Sequence, residues 1–299
     1  MTAVDVVIAV RDGGRSLRRA VLSVLRQTDV DVRVIVVDDA SRDGAPGRLP
    51  EDPRLVVVPN RGRGVSAALN TGIALGDAPL IARQDADDES LPGRLAAEVH
   101  FLEDHPGIGL VGTAFEVVAG RRRVTVMRPR PPGMLERNPF CAGSTVVRRE
   151  VLEVAGGYRE QFTLAGDYDT WLRCAWVSGV AVLPVVGYRY RLSADMVSIR
   201  GAGAQAALAE LARESARARI EGRPDPVDSP QPRPGGTGWS DAAADAEVAA
   251  WWAREFAALG ARREALRCAL AARTGLSRRR AIGVFASALA GGEPRGGWA

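Results

Sequence analysis

The chain has 299 residues, 46% of them hydrophobic, enough to bury a substantial core as one large domain or two modest ones. All 40 basic residues are Arg, so there is no P-loop lysine, Schiff base or pyridoxal-phosphate anchor. A net charge of +4 is too mild to demand nucleic acid, and two histidines, His100 and His105, are too few for a multi-histidine metal site.

Val4 to Val10 reads as a nearly continuous apolar strand, the pattern of a parallel sheet covered on both faces. Leu17, Ala20, Val21, Val24 and Leu25 then repeat at helical spacing, with Ser16 placed to cap the helix start. A second buried strand, Val32 to Val37, ends in Asp38-Asp39-Ala40-Ser41. Leu55 to Val58 makes a third, and a turn through Asn60-Arg61-Gly62-Arg63-Gly64 leads into a helix from about Val65 to Ala74. The fourth strand, Leu80 to Arg83, precedes a helix that starts near Pro92 and carries Leu95, Val99 and Leu102 on one face. This alternation predicts an α/β domain on a mostly parallel central sheet flanked by helices.

In such sheets ligands bind outside the carboxyl ends of the strands. Three patches fall there: Val10-Arg11-Asp12, Asp38-Asp39 and Asp85-Ala86-Asp87-Asp88. Three acids in four residues repel one another and are costly to hold on a structured turn without a cation. Carboxylates of this kind suit Mg²⁺ or Mn²⁺ carrying substrate phosphates. A solvated acidic turn that caps the next helix is the ordinary alternative. Asp38 or Asp39 offers an acceptor to a base N–H or a ribose hydroxyl, and Arg61 a partner for a phosphate. The Gly-X-Gly at 62–64 follows the third strand and is too generic for a dinucleotide fingerprint. Further on, Asp167 precedes the amphipathic run Thr170-Trp171-Leu172-Arg173, either as a helix cap or as a general base for an acceptor hydroxyl.

Taken in order, these segments resemble the family 2 glycosyltransferases. The resemblance covers about the first 200 residues. It runs through Val6 to Asp12, Ser23 to Thr28, Val36 to Gly44, Asn60-Arg61-Gly62 with Ala68 to Gly72, and Asp85 to Asp88 with Leu91-Pro92. It continues through Ser144 to Arg149, Gly156-Gly157-Tyr158 and Gly166 to Arg173. It implies a GT-A fold and an inverting transfer from a nucleotide-diphosphate sugar, with a divalent cation, Mg²⁺ or Mn²⁺, as cofactor. By position, Asp39 with Asp38 would contact the base, and the backbone of Ala9, Val10 and Arg11 would line the same pocket. Asp85 would reach the ribose, Ala86 would belong to the same nucleotide-sugar site, Asp87 would hold the cation, and Asp167 matches the catalytic base.

The chain departs from the family pattern in three places. Arg11 stands for the usual aromatic, Gly166 stands where many members carry Glu, and Tyr190-Arg191-Leu192-Ser193 lacks a frequent His that Asp195 would have to replace.

Beyond residue 200 the resemblance fades. Ala204 to Ile220 reads as a helix with Leu208, Leu211 and Ala212 on one face; 221–240 reads as a Pro/Gly-rich linker. Residues 242–273 form a second helical stretch, which makes 201–299 a helical extension to a 1–200 transferase domain with halves near 1–115 and 116–200. Cys141, Cys174 and Cys268 form no zinc or disulfide pattern. With no apolar run near ~18 residues and a strand almost at once, a cytoplasmic protein is expected, at most peripheral on a membrane. The acceptor, a glycan, a lipid-linked intermediate or a small molecule, stays open. Two other classes share the pattern: a nucleotidyltransferase, which would release pyrophosphate, and a non-catalytic binding protein of the same fold.

Overall fold

The structure, a computed structural model, describes residues 1–120, 122–128, 134–136, 138–193, 201–228 and 266. Most of the expected linker and of the helical stretch at 242–273, together with Asp195 and Cys268, lies outside the described residues.

Nine strands among these residues form one sheet. They are β1 (Ala3–Val10), β2 (Asp31–Asp38), β3 (Leu55–Pro59), β4 (Leu80–Arg83), β5 (Glu89–Ser90), β6 (Ile108–Ala119), β7 (Arg122–Met127), β8 (Thr145–Arg148) and β9 (Gly179–Leu192). Their order is β3-β2-β1-β4-β8-β6-β9-β5, with β7 paired to β6. The four strands expected from the sequence run parallel. β8 then turns antiparallel to β4 and β6, and β5 pairs antiparallel with β9.

Side chains alternate between the faces of a strand, and here both faces are apolar. On one side Val4, Val6, Ile8 and Val10 pack with Leu17, Val21 and Val24 of α1 (Gly14–Leu25) and with Leu95, Val99 and Leu102 of α3 (Arg94–Asp104). On the other, Val7, Ile35, Val37 and Ile81 pack with Ala68 and Leu69 of α2 (Gly64–Leu75). Val151 of α4 (Arg149–Val154) and Trp171 of α5 (Gly166–Val177) join that second cluster. Burying such side chains contributes about 1.5–3 kcal/mol each, which is what holds the helices to the sheet.

One local expectation changes. Ser16 does not cap α1: the helix begins at Gly14, whose N–H donates to the Asp43 carboxylate at 2.7 Å, so the cap comes from a loop 29 residues away. β1 is the nearly continuous apolar strand expected, with one acid in it. Asp5 is buried and accepts from the Ala78 N–H and from Arg149, both at 2.8 Å. Pairing makes that burial tolerable and ties β1 to the start of α4.

The chain divides into two compact units. The first comprises residues 1–116, 125–190 and 212–225, and the second 117–124, 191–211 and the chain from 226 onward. In the first, Asp225 accepts from Arg159, Ser215 and Arg219 at 2.7, 2.8 and 3.2 Å and so fixes the end of α6 (Ala202–Ile220). In the second, Arg191 donates to the Gly120 carbonyl at 3.2 Å. No helix among the described residues is long and apolar enough to cross a membrane.

Candidate active site

The register of the parallel strands aligns their carboxyl ends. Val10 pairs with Asp38, Asp38 with Pro59, and Val7 with Arg83. Arg11, Asp39, Arg61 and Asp85 therefore follow neighbouring strand ends along one edge of the sheet. The order reverses at β1, which is flanked by β2 and β4, and a crevice opens at such a switch point.

At the β1–β2 end, Val10 buries its side chain and its carbonyl accepts the Asp39 N–H at 2.8 Å, so only its backbone faces the edge. Ala9 is half-buried and Arg11 exposed. Asp38 accepts the Ser41 N–H at 2.9 Å. Asp39 accepts from the Asn60 amide at 2.7 Å through one oxygen and from the Gly64 N–H at 3.1 Å through the other. Asp39 thus shapes the turn that carries the exposed Arg61, and each oxygen keeps further acceptor capacity.

The acidic turn follows β4. Arg83 grips Asp85 Oδ1 with Nε at 3.1 Å and a terminal nitrogen at 3.0 Å. Ala86 is half-buried, Asp88 is buried, and Asp87 is exposed. Although solvent reaches Asp87, partial loss of water and the neighbouring Asp85 carboxylate push its pKa up to about 6. Beneath the turn, the Tyr188 hydroxyl accepts the Asp85 N–H at 3.2 Å.

Asp167 arrives from the other half of the sequence, in the first turn of α5. It is not the helix cap. That position belongs to Ala165, at φ +54°, with no side-chain hydrogen bond to the helix end. Asp167 Oδ2 instead accepts from the Asn138 amide at 3.0 Å. The second acid of the same segment, Asp169, is buried and held by Arg173 at 2.6 Å, which makes it structural. Burial alone would weaken the charge on Arg83. Asp85, followed by Tyr158 and Asp167, instead raises its pKa above the ordinary value. One partly buried cation therefore ion-pairs with Asp85 and interacts electrostatically with Asp167.

The sequence reading did not single out Arg83, Asn138 or Tyr188 as site residues. A charged residue ending an apolar strand was a visible signal for Arg83. Asn138 and Tyr188 come from distant segments and carry no local signature.

Among the described residues no group of three or more His, Cys, Asp or Glu side chains is placed to hold an ion. Asp85 and Asp87 nevertheless offer hard oxygen donors, and their mutual repulsion is relieved by a cation. That donor set fits Mg²⁺ or Mn²⁺ bound through one or two carboxylates, with phosphate oxygens and water completing the shell.

The same architecture occurs in a solved structure, the mannosyltransferase PcManGT from Pyrobaculum calidifontis in complex with GDP-Man and Mn²⁺. That likeness covers 96% of this chain and 79% of the other, with a TM-score of 0.55 and 21% identity. The shared fold is GT-A, a class of α/β transferase fold. Residues 5–153 match the model of glycosyl transferase family 2, and the chain belongs to that family. EpsE of Bacillus subtilis (strain 168) is 32% identical over 183 residues, 57% of this chain and 66% of the relative. The amylovoran biosynthesis glycosyltransferase AmsE of Erwinia amylovora is 31% identical over 154 residues, 49% of this chain and 58% of the relative. The matched part of the chain spans less than two thirds of either relative.

Proposed function

We propose that this chain is an inverting transferase that moves a sugar from a nucleotide-diphosphate donor to an acceptor hydroxyl. The donor half is 1–115 and the acceptor half 116–200. The observation that carries this reading is Arg83, whose guanidinium grips Asp85, at the end of a donor-half strand, and interacts electrostatically with Asp167, on an acceptor-half helix.

In this reading Asp87, with Asp85, holds a divalent cation, which when bound offsets the negative charge gathering on the departing diphosphate. Asp38 and Asp39 offer acceptors to the base, and the backbone of Ala9, Val10 and Arg11 lines its pocket. Arg61 meets a phosphate, and Asp85 and Ala86 lie beside the ribose. Asp167 takes the proton of the attacking hydroxyl. Asn138 occupies its Oδ2, and among the described residues Oδ1 has no hydrogen-bond partner, which supports Oδ1 as the proton-accepting oxygen. Fixing both substrates in line supplies much of the remaining acceleration.

PcManGT binds GDP-Man and Mn²⁺ on the same fold, which supports the donor class and the cation. AmsE is named for amylovoran biosynthesis, which supports a role in polysaccharide synthesis. The test is Asp167→Asn. Turnover should fall by about 10²–10⁴ while nucleotide affinity stays as it was. Unchanged turnover would remove Asp167 from the role of base.

A further inference from the structure

The acidic turn rests on a buried polar floor. Tyr188 of β9 is fully buried, and its hydroxyl accepts the Asp85 N–H at 3.2 Å and the Gln84 amide at 3.3 Å. Gln84 also donates to the Asp85 carbonyl at 3.0 Å and accepts from Ser90 at 2.7 Å. Under the Tyr188 ring lies Arg94, also fully buried, with its guanidinium carbon 5.2 Å from the ring centroid. Arg94 donates to Ser90 at 2.8 Å and to the carbonyls of Arg83 and Thr145 at 3.0 and 3.2 Å. The short β5–β9 ladder pairs Ser90 with Tyr188 and so brings this tyrosine beneath the turn from 103 residues away.

Gly143 closes the floor from the side. A Cβ there would lie 1.9 Å from the Tyr188 hydroxyl and 3.0 Å from Asp85 Oδ2, so only glycine lets the three groups meet.

We infer that Tyr188 is the positioning residue of the acidic turn: its hydroxyl fixes the Asp85 backbone, and through it the spacing of the Asp85 and Asp87 carboxylates toward a divalent cation and diphosphate. This rests on the donor-site reading above. Two carboxylates that repel each other do not hold one geometry unaided, and a site for a cation with strict geometric demands needs its donors fixed before the ion arrives. A tyrosine that merely filled the core would be served as well by phenylalanine. The hydroxyl is what separates the two roles.

The variants are Tyr188→Phe, which keeps the ring and removes the hydroxyl, and Gly143→Ala, which displaces it. Two measurements are made on the full chain. Amide hydrogen exchange of the free protein reports on residues 84–88. Calorimetry with Mn²⁺ and UDP, GDP, dTDP or CDP reports on the site. In Tyr188→Phe the Asp85 amide should exchange about tenfold faster, the equivalent of one lost hydrogen bond, while the β1 and β2 amides keep their protection. The affinity for the diphosphate that the natural protein binds should fall about tenfold, and Gly143→Ala should lower it at least as far. A folded Tyr188→Phe with unchanged exchange at Asp85, or with unchanged Mn²⁺-diphosphate affinity, overturns the inference. If the natural protein binds none of the four diphosphates, the donor-site reading fails. In that case faster exchange at Asp85 still identifies Tyr188 as the residue that positions the turn.

Discussion

The side-chain amide of Asn138 donates to Asp167 Oδ2 at 3.0 Å, and Asn138 Oδ1 in turn accepts the Phe140 N–H at 3.1 Å. The second bond fixes which way the amide faces, so Asn138 presents a donor and not an acceptor to the carboxylate. That holds Asp167 by one oxygen, Oδ2.

Asn138→Ala should therefore lower turnover about tenfold without changing donor affinity, because the base loses its orientation and not its charge. Steady-state kinetics give the first quantity and calorimetry with the nucleoside diphosphate gives the second. A variant that loses both in equal measure would show that Asn138 shapes the whole pocket and does not orient the base.

With Asp87 as the proposed cation ligand, cation binding should depend on pH. The Asp87 pKa in the free protein is pushed up to about 6, so below that value the carboxyl carries a proton that a cation must displace. Apparent Mn²⁺ affinity should be steady above about pH 7 and fall up to tenfold per pH unit below about pH 6. In Asp87→Asn the affinity should be weak at every pH and the slope should vanish. Mn²⁺ titrations across this range check both, and a natural protein with equal affinity at both ends contradicts the assignment.

Glu98 governs a second pH effect, in stability. It lies fully buried 3.0 Å from Arg94. Burial outweighs the attraction of Arg94 and pushes its pKa from 4.5 up to about 7. A carboxyl with a higher pKa folded than unfolded binds its proton more tightly in the native state. Stability from this group therefore falls as pH rises from about 4.5 to about 7. Glu98→Gln lacks that titration, so its stability relative to the natural protein should improve between about pH 5 and about pH 8, by a few kcal/mol at most. Urea melts at the two ends measure it. A difference that does not move with pH removes Glu98 as the titrating group.

The parallel half of the fold was legible because its signals are local. Runs such as Val32 to Val37 have the pattern of strands buried on both faces, and Leu95, Val99 and Leu102 recur at helical spacing. The candidate acids after β2 and β4 stand out for the same reason: charge at the end of an apolar strand is a local signal. The partners of the acids were not legible. Asp43 caps α1, Arg149 neutralises Asp5, Asn138 meets Asp167, and Tyr188 supports Asp85 only after distant segments have packed together. Asp39 shows the same limit, since its two bonds to the 60–64 turn depend on the loops after β2 and β3 meeting. Local periodicity contains no information about such pairings.

The most direct test is the thermal stability of the natural protein and of Asp87→Asn against UDP, GDP, dTDP and CDP, each with and without Mn²⁺. At about a hundred times its dissociation constant a ligand adds roughly 2.7 kcal/mol, enough to move a melting curve visibly. One diphosphate should stabilise the natural protein only with Mn²⁺ present, and Asp87→Asn should lose that shift. Equal shifts in both proteins, or no shift with any diphosphate, would contradict a cation-dependent donor site on the Asp85–Asp87 turn.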